Sequence, residues 1–228
     1  MIGSLSPMTA LLSPARRRWI AHCSGLALAA CGAAALPARA ARPATVLVVG
    51  DSLSAEYGLP RGRGWVALLE QRLAREKIAA RVVNASISGD TTSGGRSRLP
   101  ALLAEHRPTH VVIELGGNDA LRGLPLAMTR DNLVAMVRAA RAAGARVLLV
   151  GMQVPPNYGR RYADEFAALF GDVAKAEGAA LVPFLLAGVA DGPDPTALFQ
   201  PDRIHPNADA QPIMLDNVWP ALRALLRG

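Results

Sequence analysis

Short runs of β-branched apolar residues alternate along this chain with longer stretches in which apolar residues recur every three or four positions. Residues 45–49 (Thr-Val-Leu-Val-Val) form a continuous apolar run closed by Gly50, too short for a helix and suited to a pleated backbone, so they predict a buried strand. Trp65, Val66, Leu68, Leu69 and Leu73 then return at helical spacing, with Glu70, Gln71, Arg72 and Arg75 on the other face. Residues 80–85 predict a second strand, 99–105 a short helix, and 111–115 a third strand that ends at Gly116-Gly117. Leu133, Met136, Val137 and Ala140 mark a helix stopped by Gly144, and 146–150 is the fourth strand. Tyr162, Phe166, Leu169, Phe170 and Val173 mark another helix, stopped by Gly178, before a fifth strand at 180–184. A last helix begins near Ala208, and Pro220 is expected to kink or divide it.

Five oily strands alternating with helices predict an α/β fold, a parallel sheet covered on both faces. No repeat, low-complexity linker or second domain interrupts residues 41–228. In such a sheet the site lies beyond the carboxyl ends of the strands, so chemically capable residues should cluster directly after them.

Residues 1–40 break the pattern. Arg16, Arg17 and Arg18 precede an alanine-rich apolar stretch from Trp19 to Leu36, and Pro37-Ala38-Arg39-Ala40 supplies a helix breaker and small residues at an A-x-A site. The stretch is weakly hydrophobic and barely long enough to span a bilayer. A secretory signal peptide cleaved after Ala40 is the expectation, with a lipoprotein ending at Cys31, after Leu28-Ala29-Ala30, as the alternative. Either sends the domain out of the cytoplasm, most simply to a periplasm. The two cysteines, Cys23 and Cys31, both fall in this leader, and a domain of this size needs no disulfide.

Charge changes the picture little. The net charge is +7, but four arginines and no acid lie in residues 1–40, which leaves 21 basic against 18 acidic residues in the remainder. That mild excess, without a basic run, argues against nucleic acid as a partner.

Candidate chemistry follows the strands as expected. Gly50-Asp51-Ser52-Leu53-Ser54 follows the first, Asn84-Ala85-Ser86-Ile87-Ser88-Gly89-Asp90 the second, Gly116-Gly117-Asn118-Asp119 the third, and Asp202-Arg203-Ile204-His205-Pro206-Asn207 precedes the last helix. Ser52 opens a turn after a strand, where backbone N–H groups can stabilise negative charge; position 54 is Ser, so this is not the G-x-S-x-G elbow. A serine nucleophile needs a base. His22 lies in the leader, His106 at a helix end and His110 at the wrong edge of the sheet, which leaves His205. Asp202, three residues earlier, can accept its Nδ1–H and turn Nε2 toward the serine. Ser52 N–H, Gly89 N–H and the Asn118 side chain are candidate donors to an oxyanion.

With these blocks assembled, the chain resembles the GDSL or SGNH hydrolases, a family named for a Ser, Gly, Asn and His in separate blocks. Ser52, Gly89, Asn118 and Asp202–His205 match those blocks in order. Val83 to Thr91, Glu114 to Asp119, Asn157 to Tyr162 and His205 to Ala208 are similar to its bacterial thioesterase, lysophospholipase and arylesterase branch. The resemblance implies a flavodoxin-like three-layer α/β/α sandwich and a Ser-His-Asp mechanism on carboxylic esters or thioesters, including lipid or membrane-surface substrates. It implies neither cofactor nor metal. Two departures stand out: Glu56, an acid near the serine, and Gly94-Gly95, expected to loosen the loop after Gly89.

Three rival functions share these residues. One is a sugar O-acetyl esterase acting on envelope polysaccharide, against which the apolar segments at 121–125 and 154–156 weigh. Another is a non-catalytic binding domain, which an intact triad disfavours. The third is a phosphohydrolase with Asp51, Asp119 and Asp202 as metal ligands, which requires the three to converge. Arg160 and Arg161, at a helix start that disfavours cations, suggest a contact with anionic groups or else solvated surface charge.

Overall fold

A computed structural model describes residues 43–227; the predicted leader, with Arg16, Arg17, Arg18, Cys23 and Cys31, lies outside the described residues. The five strands are β1 (Ala44–Gly50), β2 (Ala80–Asn84), β3 (His110–Glu114), β4 (Arg146–Val150) and β5 (Ala180–Val182). All pair in parallel, in the order β2-β1-β3-β4-β5, with Val48 beside Asn84 on one side and Val112 on the other. Residues 46–50 of β1 and the whole of β3 are buried, as continuous apolar runs require in a sheet covered on both faces.

The chain runs outward from β1 to β2, then returns to β3 on the opposite side of β1. With right-handed crossovers, that reversal sends α1 (Trp65–Arg75) to one face and α2 (Thr92–His106), α4 (Leu126–Ala142) and α5 (Arg160–Glu177) to the other. The last helix, α6 (Gln211–Arg227), packs on α1 and completes the three-layer sandwich. A one-turn helix, α3 (Gly117–Leu121), follows β3. The reversal opens a crevice between the ends of β1 and β3, from which Ser52 and Asn118 emerge.

Two expectations are corrected. Helix α2 begins at Thr92, seven residues earlier than the predicted 99, so Gly94 and Gly95 lie in its first turn and not in a loosened loop. Thr91 caps it, its hydroxyl accepting from Gly94 N at 3.3 Å. A Cβ on Gly95 would lie 2.3 Å from Leu115 Cδ1 and 3.2 Å from Met136 Sδ, so this glycine lets α2 approach the end of β3 and α4. Helix α6 is not divided at Pro220. Pro220 and Asp216, whose carbonyl loses its partner, both face solvent, where water replaces the missing N–H. Pro100 is accommodated in α2 the same way, with Arg96 exposed one turn before it.

Candidate active site

The turn after β1 carries Ser52, and a tight loop between β5 and α6 carries Asp202 and His205. That loop is a small antiparallel excursion: Phe199 bridges Pro206, Gln200 N donates to His205 O at 2.8 Å, and Asn207 N donates to Leu198 O at 2.8 Å. Arg203 takes the left-handed conformation (φ 58°) at its tip. Asp202 Oδ1 accepts from Ile204 N and His205 N, both at 3.0 Å, while Oδ2 stands 2.7 Å from His205 Nδ1. The two backbone N–H groups, with the imidazole, hold the Asp202 carboxyl down at about 2, so it stays ionised wherever a histidine can gain a proton. His205 Nε2 lies 2.9 Å from Ser52 Oγ.

Asn118 is tied to the serine turn through its neighbour: its Nδ2 donates to Asp51 Oδ2 at 2.9 Å, leaving the second amide hydrogen free. Gly89 sits at φ 79°, and its carbonyl accepts from Arg122 Nη2 at 2.7 Å. Among the described residues neither the Ser52 nor the Gly89 N–H donates to another protein group. Hydroxyl, imidazole, carboxylate and free donors thus gather at one end of β1, β2 and β3, an arrangement able to carry out acyl transfer.

The other flagged acids have local partners. Glu56, at φ 58°, accepts from Gly62 N (3.1 Å) and Gly64 N (2.7 Å), so it closes its own loop and braces the start of α1. Asp119 accepts from Thr92 N at 2.9 Å and from the Thr92 and Thr129 hydroxyls, joining α2, α3 and α4. Asp51, Asp119 and Asp202 therefore do not converge, and no His, Cys, Asp or Glu cluster suited to a metal occurs among the described residues. Arg161 pairs with Glu165 at 2.8 Å, whereas Arg160 has no acidic partner among the described residues. His110, buried at the far end of β3, donates to or accepts from Thr109 Oγ1 and faces Leu225 O; burial lowers its pKa.

Four residues of the site escaped the sequence reading. Tyr57 lays its ring on His205, centroids 4.2 Å apart. Gln200 Nε2 donates to Tyr57 O (2.8 Å) and Pro206 O (3.1 Å), fastening the histidine loop to the serine loop. Arg98 reaches Asp90 (2.8 Å), Gly50 O (3.3 Å) and Ala85 O, so one guanidinium clamps the Gly89 segment to the end of β1. Glu114, fully buried beneath the serine, accepts from Ser54 Oγ at 2.7 Å and Asp51 N at 3.4 Å. Burial, then the nearby Asp51 charge, raises its pKa well above the ordinary range, and burial lifts Asp51 to about 6. A lone acid ending an otherwise apolar strand was the available signal for Glu114. The other three carried none.

A parallel three-layer sandwich with a serine, a histidine and an aspartate in hydrogen-bonded sequence at its carboxyl edge has the form of a serine hydrolase. Residues 48–212 match the GDSL-like lipase/acylhydrolase family. The chain is 55% identical to esterase TesA of Pseudomonas aeruginosa, over 88% of this chain and 98% of that protein. It is 43% identical to thioesterase 1/protease 1/lysophospholipase L1 of Escherichia coli, over 82% of this chain and 88% of that protein. The crystal structure of TesA superposes with a TM-score of 0.76 at 57% identity, 79% of this chain covering 99% of that one. The chain belongs to the GDSL-like lipase/acylhydrolase family, and it is an enzyme of the carboxylic ester and thioester hydrolase class.

Proposed function

We propose that Ser52 is the nucleophile of this hydrolase, with His205 as general base and acid and Asp202 as the carboxylate that orients it. Ser52 Oγ attacks the acyl carbon as its proton passes to His205 Nε2. Asp202, ionised, accepts the Nδ1–H and stabilises the imidazolium. The tetrahedral oxyanion is met by Ser52 N–H, Gly89 N–H and Asn118 Nδ2. Collapse expels the alcohol or thiol, which takes the proton from His205, and water then releases the acid by the same route reversed. The observation that carries this assignment is the unbroken path from Ser52 Oγ through the imidazole to Asp202, at 2.9 and 2.7 Å. No step calls for a metal or a cofactor.

We further propose aryl esters, acyl thioesters and lysophospholipids as the substrate range, supported by the activities for which the relatives are named and by apolar side chains around the site. Residues 1–40 serve as a signal peptide cleaved after Ala40, with acylation at Cys31 as the alternative ending. The working compartment is then the periplasm or envelope, supported by the arginine-led apolar leader and the lack of cysteine beyond it.

The test is hydrolysis of short and medium p-nitrophenyl esters by residues 41–228, wild type beside Ser52→Ala, with and without chelator. Loss of at least about 10⁴-fold in Ser52→Ala, with wild-type activity unaffected by chelator, is the expected result. Activity retained in Ser52→Ala, or removed by chelator, would overturn it.

A further inference from the structure

Five large apolar side chains stand exposed among the described residues: Tyr57, Ile87, Leu121, Tyr158 and Ile204, at 38 to 53% exposure. Their placement is systematic. Tyr57 follows β1, Ile87 β2, Leu121 β3, Tyr158 β4 and Ile204 β5, so each segment leaving the carboxyl edge of the sheet contributes one. The turns at the opposite edge contribute none. Single exposed apolar residues need no explanation, but a set confined to one rim marks an interaction surface.

Charge selects the occupant. Arg122 adjoins Leu121, Arg203 adjoins Ile204, and Arg160 lies two positions after Tyr158, all three exposed. Among the described residues none has a carboxylate partner, and the one protein contact of the Arg122 guanidinium is the Gly89 carbonyl. Of the exposed acids of the same edge, Asp202 engages His205, Asp191 Gly188 N, Asp194 Thr196 and Glu165 Arg161, while Asp164 and Asp209 stand exposed. Aromatic and aliphatic tips beside unpaired guanidinium groups suit the interface of an anionic bilayer, where apolar tips enter the acyl boundary and arginines meet headgroup phosphates. No helix among the described residues is long and apolar enough to cross a membrane.

We propose that the carboxyl edge of the sheet docks on an anionic lipid surface, with the Ser52 crevice facing the bilayer. The docking deepens the ester-hydrolase assignment by giving the same site a lipid-surface substrate, yet it is measured without turnover. The experiment is co-sedimentation of residues 41–228 with vesicles of phosphatidylcholine alone or mixed with phosphatidylglycerol. Wild type is compared with Ile87→Ser/Tyr158→Ser and with Arg160→Ala, and hydrolysis of soluble p-nitrophenyl acetate is followed in parallel. Wild type should partition onto the phosphatidylglycerol vesicles in preference, Arg160→Ala about fivefold less, and the apolar double variant less again, with soluble-ester turnover unchanged in all three. Wild type left in the supernatant with both vesicles, or bound equally by the variants, would overturn docking and leave the rim to a protein partner or an acyl chain. Binding as expected by a protein inactive on every ester would sustain docking and count against the hydrolase assignment instead.

Discussion

The ring of Tyr57 lies against the imidazole of His205, centroids 4.2 Å apart and planes tilted by 35°, while its carbonyl accepts from Gln200 in the histidine loop. Tyr57 thus holds His205 from both ends, by its ring and by its backbone. Tyr57→Ala should lower kcat between about tenfold and a hundredfold with little change in KM, because it loosens the base without touching the ester. Tyr57→Phe, which keeps the ring, should restore wild-type kcat. Equal losses in the two would assign the effect to the hydroxyl.

Asp202→Asn separates two functions of one side chain. The amide oxygen can still accept from Ile204 N and His205 N, so the loop and the melting temperature should be preserved. The amide nitrogen that then faces Nδ1 can only donate, so it selects the tautomer with the proton on Nε2 and cannot balance an imidazolium, and kcat should fall by roughly 10⁴-fold. Steady-state kinetics beside a thermal melt checks both halves.

Arg98 makes three contacts that lysine cannot reproduce together, because they require a planar fork. Arg98→Ala should cost about 2–3 kcal/mol in urea unfolding and reduce kcat by freeing the Gly89 segment. Arg98→Lys should recover part of the stability and little of the rate. Full recovery by lysine would mean that charge alone matters there.

Acidification should act on the buried pair beneath the serine. The Asp51 carboxyl moves from 3.8 to about 6 on burial, so between these values the folded protein holds a proton that the unfolded chain has released. Stability therefore falls as pH rises through that window, and the deficit, about 3 kcal/mol, is complete above about 6. Asp51→Asn should flatten this part of the unfolding free energy between pH 4 and 7.5. Identical slopes in variant and wild type would show that Asp51 ionises as in the unfolded chain.

Gly95→Ala tests the close approach of α2. Alanine favours a helix by about 1 kcal/mol over glycine, but its methyl would displace Leu115 and press on Met136. Net destabilisation of about 1–2 kcal/mol is expected. In the Leu115→Ala background the same change should become favourable, a coupling that a double-mutant cycle measures directly.

The central strands β1 and β3 were legible because they are buried on both faces, which writes them as unbroken apolar runs, whereas the edge strand β2 carries an exposed Arg81 and Asn84. Helix α2 was half legible. Leu99 and Leu103 carry its period, but Gly94, Gly95 and Pro100 argue locally against a helix that packing imposes. Ser52, Gly89, Asn118, Asp202 and His205 stood out in the sequence by residue type and by their places after strands, and the structure brings them to one edge of the sheet. Tyr57, Gln200 and Arg98 act through contacts between segments distant in sequence, and nothing about a tyrosine or a glutamine in a loop announces its neighbour. Glu56 was misleading for the same reason: its place beside the serine in sequence says nothing of the loop amides it closes upon.

Ser52 and His205 stand 153 residues apart in sequence, and the ties that seat the histidine loop reach back to Tyr57. A chain still being made, or one cut short before its final thirty residues, therefore holds a serine with no base. The two halves of the chemistry meet only when the last segment has folded onto the first. With Ser52 and His205 in the roles proposed, completion of the fold itself switches the enzyme on.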